Sequence, residues 1–521
     1  MKYIQGSDRK QITIFPISMD MAIDVDNEVR IIDFFVDCLD IEQMGFSVDY
    51  VENGRPAYHP KDLLKLYLYG YMNSIRSSRK LEKETNRNIE VIWLIKGLSP
   101  DHNTISNFRR DNPEAIKKVF RSTVQLSKNF DLIGGKLIAG DGTKLRAQNS
   151  KKNNYNQKKI DRHIKYIDEK LQTYSDALSE ADGDSVKQIE GKISKHKQHK
   201  QKYQSLEKQL KDSGEKQIST SDPDSKQLII RGVITEVCYN VQSSVDAENK
   251  IPIDYEVTNE NDKKAMTSMV ENAIEIVGNN EFDAVFDKGY YTAEQLHNCH
   301  ELGIETHVAI PSPASNAPNK KYNVSEFVYN AEYDTYCCPA GETLISNGNW
   351  YQKNSYRVKQ YKTNKCKACQ VREQCTRSKS QRLIERHEFA AALQKNREAL
   401  LNHPEIYKQR QAIVEHPFGT MKRQWGFDHI MTKKTKERAS SDVGLIFIAY
   451  NLRRLISIIG ISSLGNYLKE ALQILFTFLS ALRLKISHFK QSWFLEIIEG
   501  WFCKNPVKGL HLVKIYGFNQ N

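Results

Sequence analysis

Glu415 stands in the run Val414-Glu415-His416-Pro417-Phe418-Gly419-Thr420-Met421-Lys422-Arg423, one carboxylate among several cations and ring-bearing side chains. From Tyr407 to Trp425 the spacing predicts a helix. Tyr407, Arg410, Glu415, Lys422 and Arg423 share a broad face of it, since seven residues make nearly two turns. Pro417 asks for a kink or a fresh helix start near 416–418. A surface helix laced with ion pairs carries the same residues, so the pattern gains weight only if other carboxylates converge on Glu415. There are two candidates. Lys136-Leu137-Ile138-Ala139-Gly140-Asp141-Gly142 and Asp283-Ala284-Val285-Phe286-Asp287-Lys288-Gly289 are apolar, strand-sized runs that each end in an Asp beside a glycine. They read as buried strands delivering Asp141 and Asp287 at their ends, although Asp-Gly also marks ordinary turns. Carboxylates gathered in this way would raise one another's pKa, a strain that hard divalent cations relieve.

This order, Asp at a strand end, Asp at a later strand end and Glu on a helix, resembles that of the DDE transposases of bacterial insertion sequences. The resemblance is to the branch with a helical N-terminal domain and a cysteine-bearing insertion before the Glu. The family's signature of Tyr, two residues, Arg, three residues, Glu, six residues, Lys is matched by Tyr407, Arg410, Glu415 and Lys422. Here, however, four residues separate Arg410 from Glu415. The stretches from Tyr239 to Asp246 and from His59 to Arg110 are also similar to the family. The resemblance implies a ribonuclease H-like catalytic domain whose catalytic residues Asp141, Asp287 and Glu415 are also the metal ligands. They would hold two Mg2+ or Mn2+ ions, Asp141 bridging both and Asp287 and Glu415 holding one each, for in-line phosphoryl displacement. It further implies cleavage at the ends of an element and joining of the freed 3'-hydroxyls to target DNA. The partner is double-stranded DNA, as terminal inverted repeats and as target, bound by a homodimer on paired ends. Lys422, Arg410 and Arg423 would face phosphates, and Tyr407 offers a hydroxyl and a stacking ring. Two other readings share these residues: a catalytically silent DNA-binding regulator, and a metal-dependent nuclease that cuts without joining.

The chain has 521 residues, room for several domains. Its 76 Lys+Arg against 64 Asp+Glu give a formal charge of +12, which favours an anionic partner. No apolar run is long enough to span a bilayer, and residues 1–15 do not read as a signal peptide, so the expected compartment is the cytoplasm, at the nucleoid.

The elements that must position the carboxylates follow from periodicity. Residues 1–130 read as a helical, DNA-binding N-terminal domain, with a helix over 28–39, an aromatic-rich one from Pro60, and a basic one through Thr104–Arg110 compatible with helix-turn-helix reading. Residues 131–455 read as the mixed α/β, ribonuclease H-like domain: strand, hairpin (233–246 and 251–258), helix, strand to Asp287, helix (292–302) and strand (306–310). Two insertions interrupt it. Over 152–213, Ile160, Ile164, Ile167, Leu171, Tyr174 and Leu178 trace a heptad seam answered by Val186, Ile189, Ile193, Tyr203, Leu206 and Leu210, an antiparallel helical hairpin. Its Lys-rich outer face is either solvated or lies along a nucleic-acid backbone. Residues 312–400 form a polar, Cys-rich insertion, and 456–521 a helical tail.

Nine cysteines, five of them between 337 and 375, argue for metal or reduced thiols rather than a disulfide framework. Cys366 and Cys369 have the C-x2-C spacing of a structural zinc site, Cys375 follows, and Cys338 would be the distant fourth ligand. Cys337 is adjacent and could replace Cys338 in that role. The pattern from Leu344 to Tyr361 predicts a hairpin.

Overall fold

The computed structural model describes residues 18–48, 57–180, 182–231, 234–312, 317–353, 356–378 and 380–486. It is a mixed α/β structure that opens with six helices: α1 (Glu28–Asp37), α2 (Pro60–Met72), α3 (Ser78–Glu84), α4 (Ile89–Leu94), α5 (His102–Asp111) and α6 (Pro113–Asn129). Local chemistry sets their starts. Asn27 accepts from the Val29 N–H and Asp101 from those of Asn103 and Thr104, while Pro60 and Pro113 stand in first turns where a missing N–H costs nothing.

The main sheet has six strands, β1 (Leu137–Arg146), β4 (Lys226–Arg231), β5 (Ile234–Asp246), β6 (Ile251–Thr258), β7 (Asp283–Phe286) and β8 (Glu305–Val308). Strand β1 is central: β5 runs antiparallel along one side of it, and β7 then β8 lie parallel on the other. The far edge of β5 is shared, β4 pairing with its first half and β6 with its second. The predicted 233–246/251–258 hairpin is therefore present, turning through Lys250 at φ 54. Helices α9 (Met266–Val277) and α10 (Ala293–Glu301) link β6 to β7 and β7 to β8.

Between β1 and β4, strands β2 (Asn154–Tyr155) and β3 (Ile218–Ser219) pair at the base of a helical hairpin, α7 (Gln157–Ser179) against α8 (Asp184–Ser213). The heptad residues are the covered stripe of both helices, but only Ile160, Ile167, Leu206 and Leu210 are fully buried. Two helices alone cover a seam on one side, and His196 and Lys200 occupy it between Ile193 and Tyr203.

A second, antiparallel sheet fills the later insertion: β9 (Val328–Asn330), β10 (Thr335–Cys337), β11 (Thr343–Lys353), β12 (Tyr356–Lys362), the short helix α11 (Arg372–Cys375) and β13 (Ile384–His387). The expected 344–361 hairpin is its β11–β12 pair. The small core there is Phe327, Leu344, Tyr361 and Ile384. The chain returns through α12 (Ala390–Asn402) and α13 (Pro404–Gly419) to α14 (Lys436–Ile459) and α15 (Ile461–Ile486).

Helix α14 is apolar nearly all round because it packs against α2, α5 and α6 on one side and β6 on the other, the pattern of a core helix. No single helix among the described residues is long and apolar enough to cross a membrane. Only α14 and the first part of α15 pass together, across a bend of 111°.

Candidate active site

Register brings two of the predicted carboxylates together. Strands β1 and β7 pair Leu137 with Asp283, Ile138 with Ala284 and Ala139 with Val285, so two residues further along each chain come Asp141 and Asp287. Neighbouring strands lie about 4.8 Å apart, and the period of two puts both carboxylates on the face that carries Ala139 and Val285. Strand β1 does not end at Asp141, as the Asp-Gly pair suggested, but continues to Arg146 beside β5. Strand β7 does end, and Asp287 caps the turn beyond it, accepting from the Gly289 N–H at 2.6 Å.

Helix α13 covers the same face: Ile413 and Val414 are buried against Ala139, Val245 and Val285, with the Tyr407 ring beside them. One turn before Val414, Arg410 brings Nη1 to 3.7 Å from Asp141 Oδ2. Burial pushes the Asp141 carboxyl up to about 6; Arg410 and the Gly142 N–H oppose the rise, while Asp287 and Asp262 add to it.

Glu415 lies elsewhere on α13. It is exposed, and its Oε1 accepts from Gln411 Nε2 at 2.9 Å. The expected broad face divides: Tyr407 and Arg410 turn toward the sheet, whereas Arg423 is exposed. Lys422 returns to β1, donating to Thr143 Oγ1 at 3.0 Å and to the Lys144 carbonyl at 3.3 Å. Nor does Pro417 break the helix. It is buried inside α13, which runs on to Gly419 and passes into a π-helical turn over Thr420–Gln424.

One participant escaped the sequence reading. Asp262, on the turn after β6, accepts from Asn240 Nδ2 and Gln242 Nε2, both at 2.8 Å, and its Oδ2 lies 3.8 Å from Lys144 Nζ. A Cβ on Gly142 would meet Asp262 Oδ1 at 2.6 Å, and one on Gly289 would meet Asp287 Oδ1 at 2.8 Å and Asp262 Oδ2 at 3.6 Å. The glycines that follow the two aspartates thus leave room for a third carboxylate. Gln242 also accepts from the buried Tyr290 hydroxyl. Asn240, Gln242, Ser243 and Ser244 are all buried, a run of polar residues where a half-covered strand should alternate. That break was the available signal; Asp262 itself sits in Asn-Glu-Asn-Asp-Lys-Lys and reads as a plain turn.

The donor set is one of hard oxygens, and it suits a divalent cation. Asp141 is a partly covered carboxylate with Asp287 and Asp262 as like-charged neighbours, Arg410 stands beyond hydrogen-bonding distance of it at 3.7 Å, and Arg410 Nη1 is itself buried without a hydrogen-bond partner. As arranged, no three His, Cys, Asp or Glu side chains among the described residues stand at metal-binding spacing. Of the predicted thiols, Cys338, Cys366, Cys369 and Cys375 line one cavity of the second sheet, and Cys337 is exposed on β10.

Two stretches of the chain match models of transposase domains. Residues 17–111, the helices α1–α5, match the model of a transposase domain (DUF772). Residues 337–456, from the cysteine-bearing sheet through α13 and most of α14, match that of a transposase DDE domain. The second match includes Tyr407, Arg410, Glu415 and Lys422. Among solved structures, one similar chain is the piggyBac transposase in a synaptic complex with hairpin DNA, at 9% identity and a TM-score of 0.29 over 90% of this chain and 84% of that one. Nothing is carried over from so loose a likeness. No curated protein sequence matches the chain.

Proposed function

We propose that the protein is a DNA transposase that binds the ends of an insertion sequence, cleaves phosphodiester bonds there and joins the 3'-hydroxyl ends to target DNA. The observation that carries this reading is the β1–β7 register, which sets Asp141 beside Asp287 under the helix that bears the transposase signature. The strand order supports a ribonuclease H-like domain: an antiparallel pair, β5 and β6, on one side of β1 and two parallel strands, β7 and β8, on the other.

Asp141 and Asp287 would hold Mg2+ or Mn2+, two per site, with Glu415, exposed on α13 as arranged, brought in to complete the set. Such ions would supply activation of an attacking oxygen and charge neutralisation at the leaving one. The chain's own residues do the rest. Asp141 and Asp287 present oxygens from a rigid strand pair, Arg410 balances Asp141, and Lys422 and Arg423 extend positive charge toward the DNA phosphates. Tyr407, packed on Ala139 and Val285, anchors the helix that carries Glu415. In this reading residues 1–130 bind DNA, 131–455 carry the chemistry and 456–521 form a tail. The protein acts in the cytoplasm as a homodimer on paired inverted repeats.

A gel assay with a labelled 3'-hydroxyl end and a supercoiled target tests the proposal. Metal-dependent transfer of label to the target is expected. Cleavage without transfer would make the protein a nuclease, and end binding without cleavage a silent regulator.

A further inference from the structure

Cys338, Cys366, Cys369 and Cys375 line one cavity of the second sheet; no three of them stand at metal-binding spacing as arranged, and we propose that a structural zinc ion draws the four thiols together there. Three separate segments supply them: the β10–β11 turn, the turn after β12, and α11. The first is the most informative. In Cys338-Pro339-Ala340-Gly341-Glu342 the Gly341 N–H donates to the Cys338 carbonyl at 2.8 Å, the Cys338 N–H to the Glu342 carbonyl at 2.9 Å, and the Glu342 N–H to Cys338 Sγ at 3.3 Å. Gly341 makes the turn possible at φ +84. The Glu342 N–H contact holds the Cys338 sulfur where it lines the cavity. Cys366-Lys367-Ala368-Cys369 makes the second turn, closed by the Cys369 N–H on the Cys366 carbonyl at 3.4 Å.

Charge and position agree. Four thiolates around a dication make a doubly negative centre, and the cavity is lined by the cations Arg372 and Arg382. The same geometry settles which neighbour is the ligand: Cys337 is exposed at the end of β10, whereas Cys338 faces the cavity and packs on the small core. All these thiols are free of disulfides.

The role follows from how little else holds the sheet. Four fully buried side chains, Phe327, Leu344, Tyr361 and Ile384, are its core, and a closed tetrahedral site would fasten the loops at one end. Four protein ligands leave no open position, so the ion takes no part in phosphoryl transfer.

Elemental analysis of the full chain, purified without chelator, is expected to give about one zinc per molecule. The Cys366→Ser/Cys369→Ser double variant should lose it and Cys337→Ser keep it. Cobalt exchanged into the wild-type protein should show an intense thiolate charge-transfer band. Alkylation of the folded wild-type chain guards against a variant that merely fails to fold, because chelation should expose four further thiols together. Less than about half a zinc per chain, zinc content indifferent to the double variant, or alkylation unaffected by chelator would each overturn the assignment.

Discussion

Asp442 and Asp141 both stand beside arginine, and their pKa values shift in opposite directions. Asp442, on α14, is wholly enclosed. It accepts from Arg76 Nη2 at 2.6 Å, the Met431 N–H at 2.8 Å and the Tyr71 hydroxyl, with Arg109 Nη1 at 3.4 Å. Burial raises its pKa, but Arg76 and Arg109 outweigh burial and hold it below the ordinary carboxylate value. Asp141 keeps some solvent and has one N–H and one arginine at 3.7 Å, so burial wins. The count of donors decides the sign. A saturated carboxylate fastens α2, the loop after it and α5 to α14, and an undersaturated one retains capacity for a further cation.

The largest expected effect belongs to the saturated site. Asp442→Asn leaves two arginines uncompensated in the core and should cost about 3–5 kcal/mol in a denaturant titration. Asp141→Asn removes a charge the fold disfavours and should leave stability equal to or above the parent's at pH 8. Equal losses in the two variants would dissolve the contrast.

The pH dependence should differ in sign. Asp442 contributes stability that is fully present above the ordinary carboxylate pKa and is lost as pH falls through its lowered value. For Asp141 the raised pKa means a contribution present below 3.8 and lost as pH rises through about 6. Unfolding midpoints followed across acid pH should therefore lose the acid-side fall in Asp442→Asn, and lose the decline between 3.8 and about 6 in Asp141→Asn. Parallel profiles for both variants and the parent would contradict the assigned directions.

A smaller effect is expected at Arg410. Arg410→Gln removes the charge that lowers Asp141, so the acid limb of metal-dependent cleavage should move to higher pH with little change in folding. An unmoved limb would detach Arg410 from Asp141.

The contrast also explains what the sequence made legible. Short-range periodicity revealed the strands carrying Asp141 and Asp287, the helix around Glu415 and the hairpin over 152–213, because each is written within a few turns or strand lengths. Asp442 gave no signal, since its partners at 71, 76 and 109 lie more than 300 residues away. Asp262 was hidden because a polar turn looks alike whether or not its carboxylate faces a site. The Asp-Gly pair at 141 was misread as a strand end for a related reason: glycine there makes room for Asp262 rather than a turn. Of the kink or fresh helix start allowed at Pro417, the fresh start is absent, since α13 runs through it to Gly419.

The central claim is that Asp141 and Asp287 work as a metal-binding pair, with Glu415 completing it. The most direct test is strand cleavage of a labelled element end by Asp141→Asn, Asp287→Asn and Glu415→Gln, each checked for wild-type folding and end binding. The account predicts that all three bind the end and none cleaves it with Mg2+ or Mn2+. Metal-dependent cleavage at near wild-type rate in any one of them would remove that residue from the site, and survival in Asp141→Asn would contradict the account as a whole.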